Sequence, residues 1–140
     1  MGRIMAIDFG TKRTGIAVTD PGRIIATGLT TVPSSGIMDF LKDYFSKEAV
    51  DVVVVGEPKR LDNTATHGTL PADRFVKQLK REFPEKKLER LDERFTSKMA
   101  MQTMITGGLK KKQRQNKELV DEISATILLQ NYLEYNQSKK

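Results

Sequence analysis

The chain has 140 residues, no cysteine and 38% hydrophobic residues. It is long enough for one globular domain, 1–140, with its own core, and it excludes a disulfide framework, a thiol nucleophile and a thiolate metal site. The 24 basic residues outnumber the 18 acidic ones, and the net charge of +6 favours polyanionic partners, nucleic acid before membrane.

No apolar run reaches the roughly 18 residues of a membrane span. Asp8 and Lys12 interrupt the N-terminal apolar stretch too early for a signal peptide, so no membrane partner and a cytoplasmic location are expected.

Residues 3–9 alternate as a strand, with Ile4, Ala6 and Asp8 on one face and Met5, Ile7 and Phe9 on the other. Apolar residues on both faces predict a central, covered strand. A second strand over 14–20 ends in Asp20-Pro21-Gly22, a turn in which Pro presets φ and Gly accepts a positive φ. Residues 23–32 complete an antiparallel meander.

Ile37, Phe40, Leu41, Tyr44 and Phe45 then fall at helical spacing, predicting a helix over 36–48. The run Val50 to Gly56 is β-branched and short, as in a parallel strand buried on both faces. Residues 57–70 are polar and read as a long loop, a kind usually functional or mobile, with His67 in it.

A helix over 71–83 carries Phe75, Val76, Leu79 and Phe83 as its apolar stripe. A weaker strand over 87–92, a helix over 98–106 stopped by Gly107-Gly108, and a last helix over 117–135 follow, with a frayed tail over 135–140. The order predicts an α/β fold: a mixed five-stranded sheet, antiparallel meander plus parallel strands, with helices on both faces.

Three carboxylates stand out. Asp8 ends the first strand, Glu93 follows Asp92 at the end of the fifth, and Asp121 lies in the first turn of the last helix. Ligands of such sheets gather beyond the carboxyl ends of the parallel strands. Asp121 shares its helix face with Ala125, Leu128 and Tyr132, which aims it at the sheet, while Val120, Ile123 and Ile127 form a second apolar side. Three carboxylates about 5 Å apart repel by roughly 3 kcal/mol per pair at an effective dielectric of 20. Such a cluster persists when cations occupy it, and oxygen donors suit Mg²⁺ or Mn²⁺. Two such ions can activate a water and stabilise the leaving oxygen of a phosphodiester.

Several motifs then resemble one family. Asp8-Phe9-Gly10-Thr11-Lys12-Arg13-Thr14-Gly15-Ile16-Ala17-Val18, Val55-Gly56-Glu57-Pro58, Asp92-Glu93-Arg94-Phe95-Thr96-Ser97 and Val120-Asp121 occur in the order of the YqgF/RuvX family and span nearly the whole chain. The resemblance implies an RNase H-like fold and a nuclease, described both as a Holliday-junction resolvase homologue and as an enzyme that processes the 5′ end of pre-16S ribosomal RNA. It assigns Asp8, Glu93 and Asp121 as the acidic triad. The chain departs from the family at Glu57, where an apolar residue is usual, and in lacking the usual Gly near Asp62-Asn63-Thr64. Glu57 and Asp92 are therefore further candidate acids, Glu57 as a fourth ligand or in place of Glu93.

Lys12 and Arg13 follow the first acid directly and Arg94 follows Glu93, so all three are candidate phosphate contacts. Lys110, Lys111, Lys112 and Arg114 make a basic stretch suited to a nucleic-acid backbone. The main reading is a metal-dependent endonuclease acting on pre-16S rRNA. The alternatives are a Holliday junction resolvase, acting on branched DNA, and a non-catalytic RNA-binding ribosome-assembly factor. Asp8-Phe9-Gly10-Thr11 also resembles the phosphate loop of actin-like ATPases, but those enclose nucleotide between two related domains. No heptad or exposed apolar seam declares a dimer, so monomer and homodimer both stay open.

Overall fold

A computed structural model describes residues 2–57, 69–92 and 117–138. The strands are β1 (Arg3–Phe9), β2 (Arg13–Thr19), β3 (Ala26–Pro33), β4 (Val50–Glu57) and β5 (Lys87–Asp92). The helices are α1 (Ile37–Lys47), after a 3₁₀ turn at Ser34–Gly36, α2 (Thr69–Glu82) and α3 (Lys117–Ser138). The strands form one sheet in the order β3-β2-β1-β4-β5. β1–β2 and β2–β3 are antiparallel, while β1–β4 and β4–β5 are parallel.

The pleat of β1 sorts the core into two layers. Met5 and Ile7 pack with Ile37 and Leu41 of α1, with Phe75, Val76 and Leu79 of α2, and with Phe83 just after it. Ile4 and Ala6 pack on the opposite face with Ala125, Leu128, Leu129 and Tyr132 of α3. Met5, Ala6 and Ile7 are wholly buried, as a central strand demands. Full burial of Met5 and of Ile7 is worth about 1.5–3 kcal/mol each.

α3 crosses β2 with β1 and β3 beside it. Small residues allow that approach: Ala6 and Ala17 lie under the helix, and a Cβ added to Gly28 would come 2.6 Å from the Glu122 carboxylate.

Several element boundaries differ from expectation. β3 begins at Ala26 rather than at 23, because the Asp20 carboxylate accepts the N–H groups of Gly22, Ile24 and Ile25 and lengthens the turn. Within it, Arg23 and not Gly22 adopts the left-handed conformation, at φ 59°. Its side chain compensates for that strain: Nε donates to Gly2 O and Nη2 to Asp51 Oδ2, each at 2.8 Å. Glu57 belongs to β4, and Thr69 and Leu70 to α2, so only part of the expected 57–70 loop is a connection. Finally, α3 continues through Ser138, where a frayed tail was expected from 135. His67 and the expected 98–106 helix lie outside the described residues.

Asp51 is the extra residue of a bulge, since Arg3 pairs with Val50 while Ile4 pairs with Val52. Its carboxylate takes the Gly2 N–H at 2.8 Å as well as Arg23, tying the N-terminus to the β2–β3 turn. The Gly2 N–H, with the Arg23 charge in support, holds its pKa below the usual carboxylate value against the opposing effect of desolvation. The N–H groups of Ile25 and Ile24 do the same for Asp20. A carboxylate with a lowered folded-state pKa stabilises the fold above its unfolded-state pKa, and that contribution disappears as the pH falls through the folded-state value. The melting temperature is therefore expected to drop on acidification below about pH 4. In Asp51→Asn that drop is expected to be smaller, measured by thermal melts across acidic buffers.

Candidate active site

Asp8 is the sixth residue of β1 and lies in the row of Ile4 and Ala6, towards α3. It is half-buried. Its partner across the antiparallel pair is Gly15 of β2. A Cβ built on Gly15 would lie 2.1 Å from the backbone O of Asp121, so the first turn of α3 rests directly on the backbone of β2 at that point. The backbone of Asp121 thus lies over the strand position paired with Asp8. Two carboxylates separated by 113 positions of sequence come to one face of the sheet.

The turn between β1 and β2 is fixed by a small hydrogen-bond set. The Gly10 N–H donates to Arg13 O at 3.0 Å, the Ser34 N–H donates to Lys12 O at 3.0 Å, and Ser34 Oγ donates to Gly10 O at 2.5 Å. Ser34 Oγ also lies 2.8 Å from Thr14 Oγ1, a buried hydroxyl. Lys12 is exposed at the tip of this turn.

Arg13 turns back to the acids, its Nε donating to Asp121 Oδ2 at 2.9 Å. The side chains are 33% and 26% exposed, so water screens the pair and its worth is about 0.5 kcal/mol. Arg13 is thus a partner of a candidate acid, and not simply a cation projecting into solvent.

The carboxyl ends of β4 and β5 reach the same edge. Ile7 pairs with Val55 and Val55 with Arg90, and two residues on, the Glu57 backbone pairs with Asp92. Glu93, Arg94, Lys110, Lys111, Lys112 and Arg114 lie outside the described residues. Among the described residues no group of three or more acids, histidines or cysteines is close enough to hold a metal. Asp8 and Asp121, on one face of the sheet, are oxygen donors, the chemistry Mg²⁺ and Mn²⁺ take.

Sequence reasoning missed Arg90. Its Nε and Nη2 donate to the carbonyls of Val55 and Gly56, and its Nη1 to Asp73 of α2 at 3.3 Å. It therefore fixes the end of β4 against α2. The available signal was a cation in the middle of a short strand, which must find acceptors if its stem is to pack.

A family model described as "RuvX: Holliday junction resolvase" matches residues 2–135. The chain belongs to the RuvX family. RuvX proteins fit an RNase H-like fold, and the mixed β3-β2-β1-β4-β5 sheet with helices on both faces agrees with it. Among curated RuvX relatives, one from Flavobacterium psychrophilum is 60% identical over 133 residues, covering 95% of this chain and 97% of its own. One from Christiangramia forsetii is 58% identical, covering 95% and 98%. One from Bacteroides thetaiotaomicron is 54% identical, covering 96% and 97%. All three bear the name "Putative pre-16S rRNA nuclease". Among solved structures, YeaZ from Pseudomonas aeruginosa aligns at a TM-score of 0.47 and 17% identity, over 77% of this chain and half of its own.

Proposed function

We propose that the protein is a metal-dependent endonuclease that hydrolyses nucleic-acid phosphodiesters, with the 5′ end of pre-16S rRNA as its substrate. The observation that carries this is the seating of Asp121 on Gly15, opposite Asp8, at the carboxyl edge of the sheet. The names of relatives at up to 60% identity support the substrate. The excess of basic residues supports a polyanion as partner.

Asp8 and Asp121 supply oxygen ligands from β1 and α3, and Glu93 is the third acid by family resemblance. Glu57 and Asp92 are further acids at the same edge. Bound there, two Mg²⁺ or Mn²⁺ ions would make a water nucleophilic at neutral pH and neutralise the leaving oxygen. Lys12, on its pinned turn, draws a phosphate to that edge. Arg13 holds the Asp121 carboxylate in position and offers its remaining N–H groups to a phosphate oxygen. Arg94 and the stretch Lys110, Lys111, Lys112, Arg114 are further candidates for contacts to the nucleic-acid backbone. Among the described residues no helix is long and apolar enough to cross a membrane, and we assign the protein to the cytoplasm, where precursor rRNA is found.

The test is cleavage of single-stranded RNA, pre-16S rRNA and four-way DNA junctions, with and without Mn²⁺. Metal-dependent cutting of the precursor at its 5′ side is expected. Cutting of junctions alone would support the second reading, favoured by the description of the family model, a resolvase. A resolvase needs two coordinated active sites, so a dimer by sedimentation would accompany that result and a monomer would oppose it. Salt-sensitive RNA binding with no cleavage on any substrate would leave a binding factor.

Arg13→Gln gives a separate check on the acids. Loss of so exposed a pair is expected to lower the metal-free melting temperature by about 2 °C. The rise in melting temperature on adding Mn²⁺ is expected to grow, since Asp121 no longer shares an oxygen with a guanidinium. An unchanged or smaller rise would show that Arg13 and the cation do not compete.

A further inference from the structure

A cavity of about 440 Å³ opens on the α1 and α2 side of the same sheet edge. Phe9, Ser35, Asp39, Arg74, Phe75 and Gln78 are among its lining residues. Phe9 is the residue after Asp8, their Cα atoms about 3.8 Å apart, and the pleat sends the two side chains to opposite faces. A nucleic-acid strand with a phosphate at Asp8 therefore has its adjoining base within reach of Phe9.

The cavity is chemically mixed in a way that narrows its occupant. One wall is aromatic: the Phe9 ring is stacked face to face on the buried Phe75 ring at 4.5 Å and 11°, which holds it in place and leaves only its outer face for a ligand. Around it, Asp39 can only accept hydrogen bonds, while Gln78 can both donate and accept. Arg74 is exposed and, among the described residues, has no ion-pair partner. An apolar ligand would leave these polar groups unmatched. A bare anion would meet Arg74 but leave the aromatic wall uncovered. A nucleobase has a π face for the wall and a donor-acceptor edge for Asp39 and Gln78, and it brings a phosphate for Arg74. The volume falls within the range of about 300–1,000 Å³ of small-molecule sites.

We propose that this cavity receives one unpaired base of the bound strand, with Arg74 on the phosphate beside it. This deepens the nuclease reading and rests on it for the path of the strand. The protein would then select a single-stranded or frayed position beside the scissile bond, because a base held in a duplex cannot enter.

The full-length protein is tested with an oligouridine RNA carrying one 2-aminopurine, in Ca²⁺ to suppress cleavage. Binding is expected to shield the 2-aminopurine severalfold from collisional quenching by acrylamide. Ser35→Trp, which fills the cavity, is expected to abolish the shielding and weaken binding about tenfold, the worth of one stacked base. Arg74→Ala is expected to reduce the slope of log affinity on log salt by about 0.7, one phosphate contact on a single strand. If circular dichroism shows Ser35→Trp to be unfolded, Gln78→Leu takes its place with the same expected loss of shielding. A bound RNA whose 2-aminopurine is quenched as readily as in free RNA overturns the proposal, as does shielding that survives in the folded variant.

Cleavage of pre-16S rRNA is followed in parallel to separate the two readings. Shielding without cleavage by the wild-type protein refutes the nuclease and leaves the base site standing. Cleavage with an unshielded base refutes the base site alone.

Discussion

Substituting Asp8 by Asn is expected to lower cleavage by more than about 100-fold, beyond the cost of losing a supporting hydrogen bond around a metal ligand, while the protein still folds and binds RNA. Asn keeps the shape of Asp and one carbonyl oxygen but removes the charge. At a site built to hold divalent cations the charge is what matters, because hard cations bind through anionic oxygens. Folding depends little on that charge. The buried part of β1 is Ile4 to Ile7, and Asp8 lies half-buried at the strand's end. A melting temperature within a few degrees of the wild type is therefore expected. The Mn²⁺-induced rise in melting temperature is expected to disappear together with cleavage. Undiminished cleavage by purified Asp8→Asn would remove the acid from the chemistry altogether. Lost cleavage with an intact Mn²⁺ response would instead make Asp8 a substrate contact.

The sequence announces the parts of this site that follow from periodicity. Alternation in β1 separates Asp8 from Phe9, and the i, i+4, i+7, i+11 spacing puts Asp121 on the helix face whose Ala125, Leu128 and Tyr132 pack on the sheet. The order of the strands follows from an antiparallel meander leading into parallel units. What depends on long-range contact is not legible in this way. Nothing near Arg13 in the chain marks Asp121 as its partner, 108 residues away. The positive φ falls on Arg23 rather than on the adjacent glycine because Gly2 and Asp51, distant in the chain, supply acceptors for its guanidinium. Likewise, nothing near Phe9 in the chain marks Phe75, 66 positions away, as the ring it stacks on. Glu93 remains an assignment by resemblance, since it lies outside the described residues.

The larger effect on stability is expected from Gly15→Ala. In an ordinary strand this change is mildly stabilising, since Ala restricts the unfolded chain by about 0.4–1 kcal/mol. Gly15 reverses the sign because of what lies over it. The new Cβ would meet Asp121 O at 2.1 Å, Asp121 C at 2.5 Å and Glu122 N at 3.1 Å. All three are backbone atoms, so no side chain can swing aside, and the first turn of α3 must lift away from β2. Overpacking of this kind costs about 3 kcal/mol, which for a chain of this length is about 10 °C in melting temperature. The same displacement carries Asp121 away from Asp8, and a misplacement of about 1 Å can cost about 100-fold in rate. Gly15→Ala should therefore lose both stability and cleavage, whereas Asp8→Asn loses cleavage alone. Gly36→Ala is the control: no atom lies within 4 Å of a Cβ there, and at this helix N-cap the change should cost less than about 1 kcal/mol. A Gly15→Ala protein that melts at or above the wild-type temperature would mean that α3 does not rest on β2 at this point, and the convergence of the two acids would lose its structural basis.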